Sequence, residues 1–298
     1  MHPSAALKPA LDALAQAMDN RFDRLLQLPE DPRRRLYQAM RHATMGGGKR
    51  MRPLLTVAAC DLFHVDKDRS LRVALAVECI HCYSLVHDDL PCMDNDDMRR
   101  GKPTVHKAFD EGMAVLAGDG LLTLAFEILA DEATHEDARV RAELVLELAR
   151  AAGPAGMVGG QAMDIAAETS VFDLPTTTRL QQLKTGALIS FCVEAGAIMG
   201  KAGPDQRTRL RGYAHDLGLA FQITDDLLDV EGDSARTGKA VAKDAAAGKA
   251  TFVSLLGLER ARQQADFLIN QAIAHLSGFG QEADLLRAVA RFAVERDR

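Results

Sequence analysis

From Leu71 to Asp89 the apolar residues cover nearly the whole circumference of the helix they would form, and the run is too long for a strand. A helix that is apolar on every side belongs in the middle of a molecule. This segment is therefore expected to be central and buried, with Asp88 and Asp89 delivered at its C-terminal end. The flanking pattern is helical too. Leu7, Leu11, Leu14, Met18, Phe22 and Leu25 recur at steps of three and four, which predicts an amphipathic helix that Pro29 and Pro32 end. A second helix runs to Gly46-Gly47-Gly48, a run able to take the left-handed conformations that close a helix, and Pro53 suits the first turn of the next. Further helices are expected around 111–131, 136–151, 156–167, 176–199 and 205–230, then two more between 251 and 275 and between 281 and 296, with no convincing strand. Between Glu231 and Lys249 the pattern lapses into Gly232, Ser234, Gly238, Gly248 and small residues mixed with lysines, which predicts a mobile segment able to act as a lid.

No Pro/Ser-rich linker, low-complexity tract or internal repeat divides the 298 residues, so residues 1–298 are expected to form one large all-α domain. A hydrophobic content of 47% with 26% charged residues supplies a sizeable core. The net charge of −6 gives no general attraction to nucleic acid or to an anionic membrane. Five cysteines (Cys60, Cys79, Cys82, Cys92 and Cys192) form an odd set without framework spacing, and no signal peptide is evident, which fits a reducing cytoplasm. Cys79 and Cys82 have a C-x-x-C spacing, but no second pair follows, so buried helix positions are expected rather than zinc or redox chemistry. The apolar stretches, such as Leu71 to Leu90, are interrupted by charges, and none is expected to be an uncharged membrane span.

Two clusters, Asp88-Asp89-Leu90-Pro91-Cys92-Met93-Asp94 and Asp225-Asp226-Leu227-Leu228-Asp229, crowd carboxylates that repel one another unless cations hold them. In the second, positions i and i+4 differ by about 40° around a helix axis, which puts Asp225 and Asp229 on one face with Asp226 at its edge. In the first, Pro91 stops a regular helix and lets the chain turn so that Asp94 comes back beside Asp88. Oxygen-only ligands without Cys or paired His favour Mg²⁺, which commonly takes one or two carboxylates plus substrate phosphates. Two such clusters facing each other would make a diphosphate site.

Gly46-Gly47-Gly48-Lys49-Arg50-Met51-Arg52-Pro53 joins exposed backbone amides to three cations, which is either an anion cradle or a capped helix followed by a solvated basic turn. Arg99-Arg100, directly after Asp94, Asp96 and Asp97, would be ordinary surface pairing were it not beside a proposed metal site. Lys184-Thr185, Gln222, Lys239 and Lys249 complete the polar groups that could converge on a leaving diphosphate, although singly each is more often a surface residue. His81 and His87 project from the buried helix, where an unpaired histidine is more commonly satisfied by a core hydrogen bond. His87-Asp88 also occurs in helical metal phosphohydrolases, but the spaced histidines of that site are missing.

The segments GGGKRMRP at 46–53, ECIHCYSLVHDDLPCMDNDDMRRGKPT at 78–104, GGQAMD at 159–164, KTGALI at 184–189, GLAFQITDDLLD at 218–229 and GKAVAKDAAAGKATF at 238–252 occur in coherent order along nearly the whole chain. On these segments the chain resembles the trans-isoprenyl diphosphate synthases, most closely the bacterial farnesyl diphosphate (geranyltranstransferase) type. The resemblance implies antiparallel helices around a deep central cavity, usually in a homodimer, with the aspartate clusters facing each other at its mouth. It implies that Asp88, Asp94 and Asp225 carry metal in a three-magnesium arrangement, with Asp89, Asp226 and Asp229 completing the clusters and Mn²⁺ able to substitute. Lys49, Arg52, His81 and Arg100 match the positions that hold isopentenyl diphosphate. Arg99, Lys184, Thr185, Gln222 and Lys239 match those contacting the allylic partner, and Lys249 is an additional loop contact.

The implied reaction ionises dimethylallyl or geranyl diphosphate, joins the cation to isopentenyl diphosphate, and loses a proton to give farnesyl diphosphate. Tyr83, with Ser84 beside it, is the expected floor for the growing tail. It precedes Asp88 by five residues, or about 7.5 Å of helix. Geranylgeranyl synthases share the DDLPCMDNDD wording, so a twenty-carbon product is the alternative. A terpene cyclase would not need the second diphosphate site implied by Lys49 and Arg52, and a non-catalytic subunit of a heteromeric synthase would be expected to lose some of these groups.

Overall fold

A computed structural model of the chain describes residues 3–231 and 250–295. The elements are α1 (Pro3–Leu25), α2 (Arg34–Thr44), α3 (Met51–Asp61), α4 (Lys67–Asp88), a hairpin of β1 (Met98–Arg99) and β2 (Lys102–Pro103), α5 (Val105–Ala108), α6 (Glu111–Ala130), α7 (Ala138–Ala152), α8 (Met157–Ala166), α9 (Leu174–Gln181), a π-helical turn (Gln182–Gly186), α10 (Ala187–Met199), α11 (Pro204–Glu231), α12 (Phe252–Leu256), α13 (Leu258–His275) and α14 (Asp284–Glu295). The expected lid segment, with Lys239 and Lys249, lies outside the described residues. The chain gathers into two compact units. One comprises Lys8–Val57 and Asp66–Val145, and the other Met1–Leu7, Ala58–Val65 and Leu146–Arg298.

The first unit is organised by α4. Asp66 caps its N-terminus by accepting from the N–H groups of Asp68 and Arg69, and every residue from Val73 to Ile80 is buried. Its near-uniform burial is the structural counterpart of the apolar circumference in the sequence. α6 packs along α4, and α2 packs on both. The close approach of α6 needs Gly118, where a Cβ would lie 2.0 Å from His87 Nε2. By length and composition α6 is apolar enough to cross a membrane. It carries Asp119 and Glu127, and Ala114, Ala117, Leu121, Ala125, Ile128 and Leu129 are buried in the fold. The buried stripe of α1 passes from Phe22 to Leu26, just beyond the helix's last residue and 1% exposed, and not to Leu25, 39% exposed. Leu26 lies one turn beyond Phe22, to whose carbonyl its N–H donates at 2.9 Å.

The hairpin is a departure from the expected absence of strands. β1 and β2 pair antiparallel, Met98 with Pro103 and Arg99 with Lys102. Arg100 and Gly101 turn between them with φ of 53° and 76°, the left-handed pair that suits a two-residue hairpin turn. Strands this short leave no alternating pattern to read.

In the second unit α11 packs against α13 and α10, and α14 lies on α11 and α13. Tyr213, fully buried on α11, donates its hydroxyl to the Leu286 carbonyl at 2.8 Å, so the large ring enters the core without an orphaned polar tip. α10 meets the end of α3 at Gly196, where a Cβ would come within 2.3 Å of the Ala59 carbonyl carbon. The helix expected over 176–199 is interrupted by the π-helical turn, a local widening that tends to mark functional segments.

Candidate active site

The first unit holds a cationic site built by three elements. Gly46 and Gly48 take φ of 69° and 88°, and between their loop and α3 Arg50 itself sits at φ 49°. Gly48 makes room for Arg100, whose guanidinium carbon is 2.5 Å from where a Cβ would stand. Arg100 donates to the Gly47 carbonyl at 3.3 Å and to His81 Nε2 at 3.2 Å, and Arg52 approaches the same nitrogen at 3.5 Å. A histidine nitrogen facing two guanidiniums must offer its lone pair. Burial first, and then the charges of Arg52 and Arg100, hold His81 well below its ordinary 6.5, so the imidazole is neutral. Arg52, His81 and Arg100 thus come together from α3, α4 and the hairpin, with Lys49 exposed on the adjoining loop.

Arg50 does not belong to this outward set. Counted in the sequence as one of three cradle cations, it is instead buried, donating to Glu78 Oε1 at 2.6 Å, to Asp19 Oδ1 at 2.9 Å and to the Thr44 carbonyl at 2.5 Å. Its fork anchors the glycine loop from below. The hairpin is stitched to that loop as well: Lys102 donates to the Met45 carbonyl at 3.1 Å, and His42 Nε2 to the Pro103 carbonyl at 2.7 Å.

At the end of α4 the chain turns back on itself. The Asp94 N–H donates to the Asp88 carbonyl at 2.8 Å, and Met93 and Asn95 both donate to Leu90, closing a loop that leaves Pro91 and Cys92 exposed. Asp88 is half-buried and Asp94 exposed, whereas Asp89 is buried. Asp89 Oδ1 accepts from Arg99 Nε at 2.7 Å and Nη2 at 2.6 Å, and Arg99 also reaches Asp96 at 3.3 Å. Burial raises the Asp89 carboxyl above its ordinary value even though Arg99 pulls against it. Tyr83 is buried, its ring edge-on to His87 at 5.8 Å between centroids. Burial, with the Asp88 charge behind it, pushes its phenol up to about 12. Ser84 donates its hydroxyl to the His81 carbonyl at 2.9 Å, so it is satisfied within α4.

The second unit carries the other cluster on α11. Asp225 and Asp229 are half-buried, while Asp226 is turned inward, its Oδ2 accepting from the Phe252 N–H at 2.6 Å. Gln222, one turn before, donates to Asp225 at 3.2 Å and accepts from the Thr185 hydroxyl at 3.0 Å. Thr185 and Lys184 both lie in the π-helical turn, and Lys184 is paired with Asp164 of α8 at 2.8 Å. Two glycines let the turn dock this closely. At Gly160 a Cβ would lie 2.1 Å from the Lys184 backbone nitrogen, and at Gly218 one would touch Gly186 Cα at 3.3 Å. The segment GGQAMD contains both Gly160 and Asp164, but its spacing gives no hint that they support Lys184.

Among the described residues no three carboxylate, imidazole or thiolate groups form a ready metal cage. The candidate donors would instead be carboxylates taken in pairs, Asp88 with Asp94 and Asp225 with Asp229, with no sulfur among them. That set fits Mg²⁺, which retains water and completes its shell with substrate phosphates. Cys79 and Cys82 are buried on α4, the Cys82 thiol pushed up to about 12 by burial and Glu78, as expected of inert core cysteines.

The polyprenyl synthetase family model matches residues 33–291. Farnesyl diphosphate synthase of Geobacillus stearothermophilus is 43% identical over 290 residues, covering 96% of this chain and 97% of that one. The chloroplastic geranylgeranyl pyrophosphate synthase 11 of Arabidopsis thaliana is 45% identical over 253 residues, covering 83% of this chain and 70% of its own. The apo crystal structure of an FPP/GFPP synthase from Zymomonas mobilis matches with a TM-score of 0.90 at 62% identity, covering 97% of this chain and 99% of that one. With helical architecture, ordered motifs and whole-chain similarity in agreement, the chain belongs to the polyprenyl synthetase family.

Proposed function

We propose that the chain, acting as one synthase domain over residues 1–298, condenses isopentenyl diphosphate with dimethylallyl or geranyl diphosphate to give farnesyl diphosphate. The observation that carries this reading is the convergence of Arg52, His81 and Arg100. The cations among them provide for a second diphosphate, which a terpene cyclase does not require. Asp88, Asp94, Asp225 and Asp229 are the proposed ligands of Mg²⁺, or of Mn²⁺ in its place. Asp89 and Asp226, each already bonded within the protein, would position their neighbours.

When bound, magnesium neutralises the charge that grows on the allylic diphosphate as its C–O bond breaks. The resemblance assigns Lys184, Arg99, Lys239 and Lys249 to the same leaving group, for which they would supply positive charge. Thr185 donates to Gln222, which in turn donates to Asp225, and the resemblance assigns the oxygens of Thr185 and Gln222 to the allylic cation. Lys49, Arg52, His81 and Arg100 hold isopentenyl diphosphate so that its double bond meets that cation in place of a random encounter. The departed diphosphate takes the proton, and no side-chain base is assigned.

We further assign the protein to the cytoplasm, in keeping with its five free thiols. A homodimer, which the resemblance implies, is the proposed assembly. The test of function is product analysis: Mg²⁺, isopentenyl diphosphate and either starter, followed by dephosphorylation and chromatography. Farnesol formed in an EDTA-sensitive manner is expected. A longer alcohol would favour the alternative of a geranylgeranyl or still longer product, in keeping with the Arabidopsis geranylgeranyl pyrophosphate synthase and the Zymomonas FPP/GFPP synthase among the chain's relatives. No elongation by folded protein would overturn both.

A further inference from the structure

Two turns before the aspartate motif, α11 carries a polar group that the proposed reaction does not use. Asp216, 8% exposed, accepts from two histidines: His215 Nδ1 at 3.1 Å on one oxygen and His275 Nε2 at 3.2 Å on the other. His275 is the last residue of α13, and its ring occupies the space over Gly212, where a Cβ would be 2.5 Å from the ring. The other nitrogen of His215, Nε2, meets Gln182 Nε2 at 3.1 Å. The directions of these bonds are mutually consistent. A carboxylate can only accept, so His215 donates through Nδ1, which leaves the lone pair on Nε2 to accept from the Gln182 amide.

Gln182 is the first residue of the π-helical turn that carries Lys184 and Thr185. We propose that His215, oriented by Asp216, is a positioning residue that fixes the start of this turn through Gln182, and so sets Lys184 and Thr185 for the allylic diphosphate. The turn is then tied to α11 at both ends, by Gln182 to His215 and by Thr185 to Gln222. Such a turn closes its backbone bonds at i→i+5 and not at i→i+4, so it turns its side chains out of the register of the flanking helices, and ties at its two ends fix where they point. His275 extends the tie to α13, so the segment that meets substrate is braced by a helix it does not itself touch through this relay. The inference rests on the assignment of Lys184 and Thr185 to the allylic diphosphate.

The test is steady-state kinetics in both substrates on His215→Ala, His215→Asn, His215→Gln, Gln182→Ala and the double variant His215→Ala/Gln182→Ala. Loss of one ordinary hydrogen bond predicts about a fivefold rise in KM for the allylic diphosphate in His215→Ala and in Gln182→Ala, with no further rise in the double variant. The KM for isopentenyl diphosphate should stay at its wild-type value, and the melting temperature should fall by no more than about 2–4 °C, the worth of one hydrogen bond. Glutamine places a polar atom near the position of Nε2 and should restore most of the loss, whereas asparagine reaches only to that of Nδ1 and should resemble alanine. An unchanged allylic KM, an equal rise in both KM values, or rescue by asparagine but not by glutamine would overturn the proposal. Lys184→Ala separates the two layers. If it leaves the allylic KM unchanged, the assignment of Lys184 fails and the positioning role falls with it. If it raises that KM while His215→Ala does not, only the relay is refuted.

Discussion

Replacing Arg50 by methionine tests whether this arginine is a buried anchor or a diphosphate ligand. Its side chain is 1% exposed and pairs with Glu78, 2% exposed, at 2.6 Å, with Asp19 and the Thr44 carbonyl completing the fork. Methionine fills much of the volume but leaves the Glu78 carboxylate buried with its strongest partner gone. Breaking a buried pair from one side costs about 3–5 kcal/mol, because the remaining charge has neither water nor counter-ion. For a chain of this size each kcal/mol moves the melting temperature by roughly 2 °C, so a fall of about 6–10 °C is expected by calorimetry or circular dichroism. The double variant Arg50→Met/Glu78→Leu removes the stranded charge and should recover most of that loss. The KM for isopentenyl diphosphate should rise in the single variant, because Lys49 and Arg52 flank the loop that Arg50 holds. A melting temperature within 2 °C of wild type, or a double variant as unstable as the single one, would refute the burial argument.

Tyr83→Ala should lengthen the product distribution seen after dephosphorylation, since it removes the buried ring beside His87; an unchanged profile would remove Tyr83 as the floor. Gly160→Ala should lower stability by about 1–3 kcal/mol and raise the allylic KM, because the new methyl would stand 2.1 Å from the Lys184 backbone, which has no flexible end to yield. Wild-type KM and melting temperature would show that the turn does not depend on this contact. His81 should remain neutral well below pH 6.5 in the free protein, observable as a flat ring-proton shift by NMR. The folded state then binds fewer protons than the unfolded chain, so this contribution to stability is present above about pH 6.5 and declines as the pH falls below it. A titration centred near 6.5 would show that the arginines and burial do not act on the ring as described.

Much of this was legible from local pattern. The apolar circumference of Leu71 to Asp89 announced a buried helix, and Pro91 announced the turn that brings the Asp94 N–H to the Asp88 carbonyl. The positions of Asp225 and Asp229 on one helical face followed from the angular step alone. The hairpin was not legible because two-residue strands carry no periodicity. The π-helical turn was not legible because KTG-type spacing reads as ordinary helix.

Charge and spacing are properties of the chain, and they determined by themselves that acidic clusters and basic residues would sit at helix ends and junctions. Which way each charge faces is not such a property. Lys49, Arg50 and Arg52 look equivalent in sequence, yet Arg50 alone turns under the glycine loop, because Glu78 and Asp19 offer it paired acceptors there. Asp89 and Asp226 differ from their neighbours in the same manner, one held by Arg99 and the other by the Phe252 N–H. A buried charge is tolerated only where another element supplies its partner, and that partner is brought close by packing rather than by sequence.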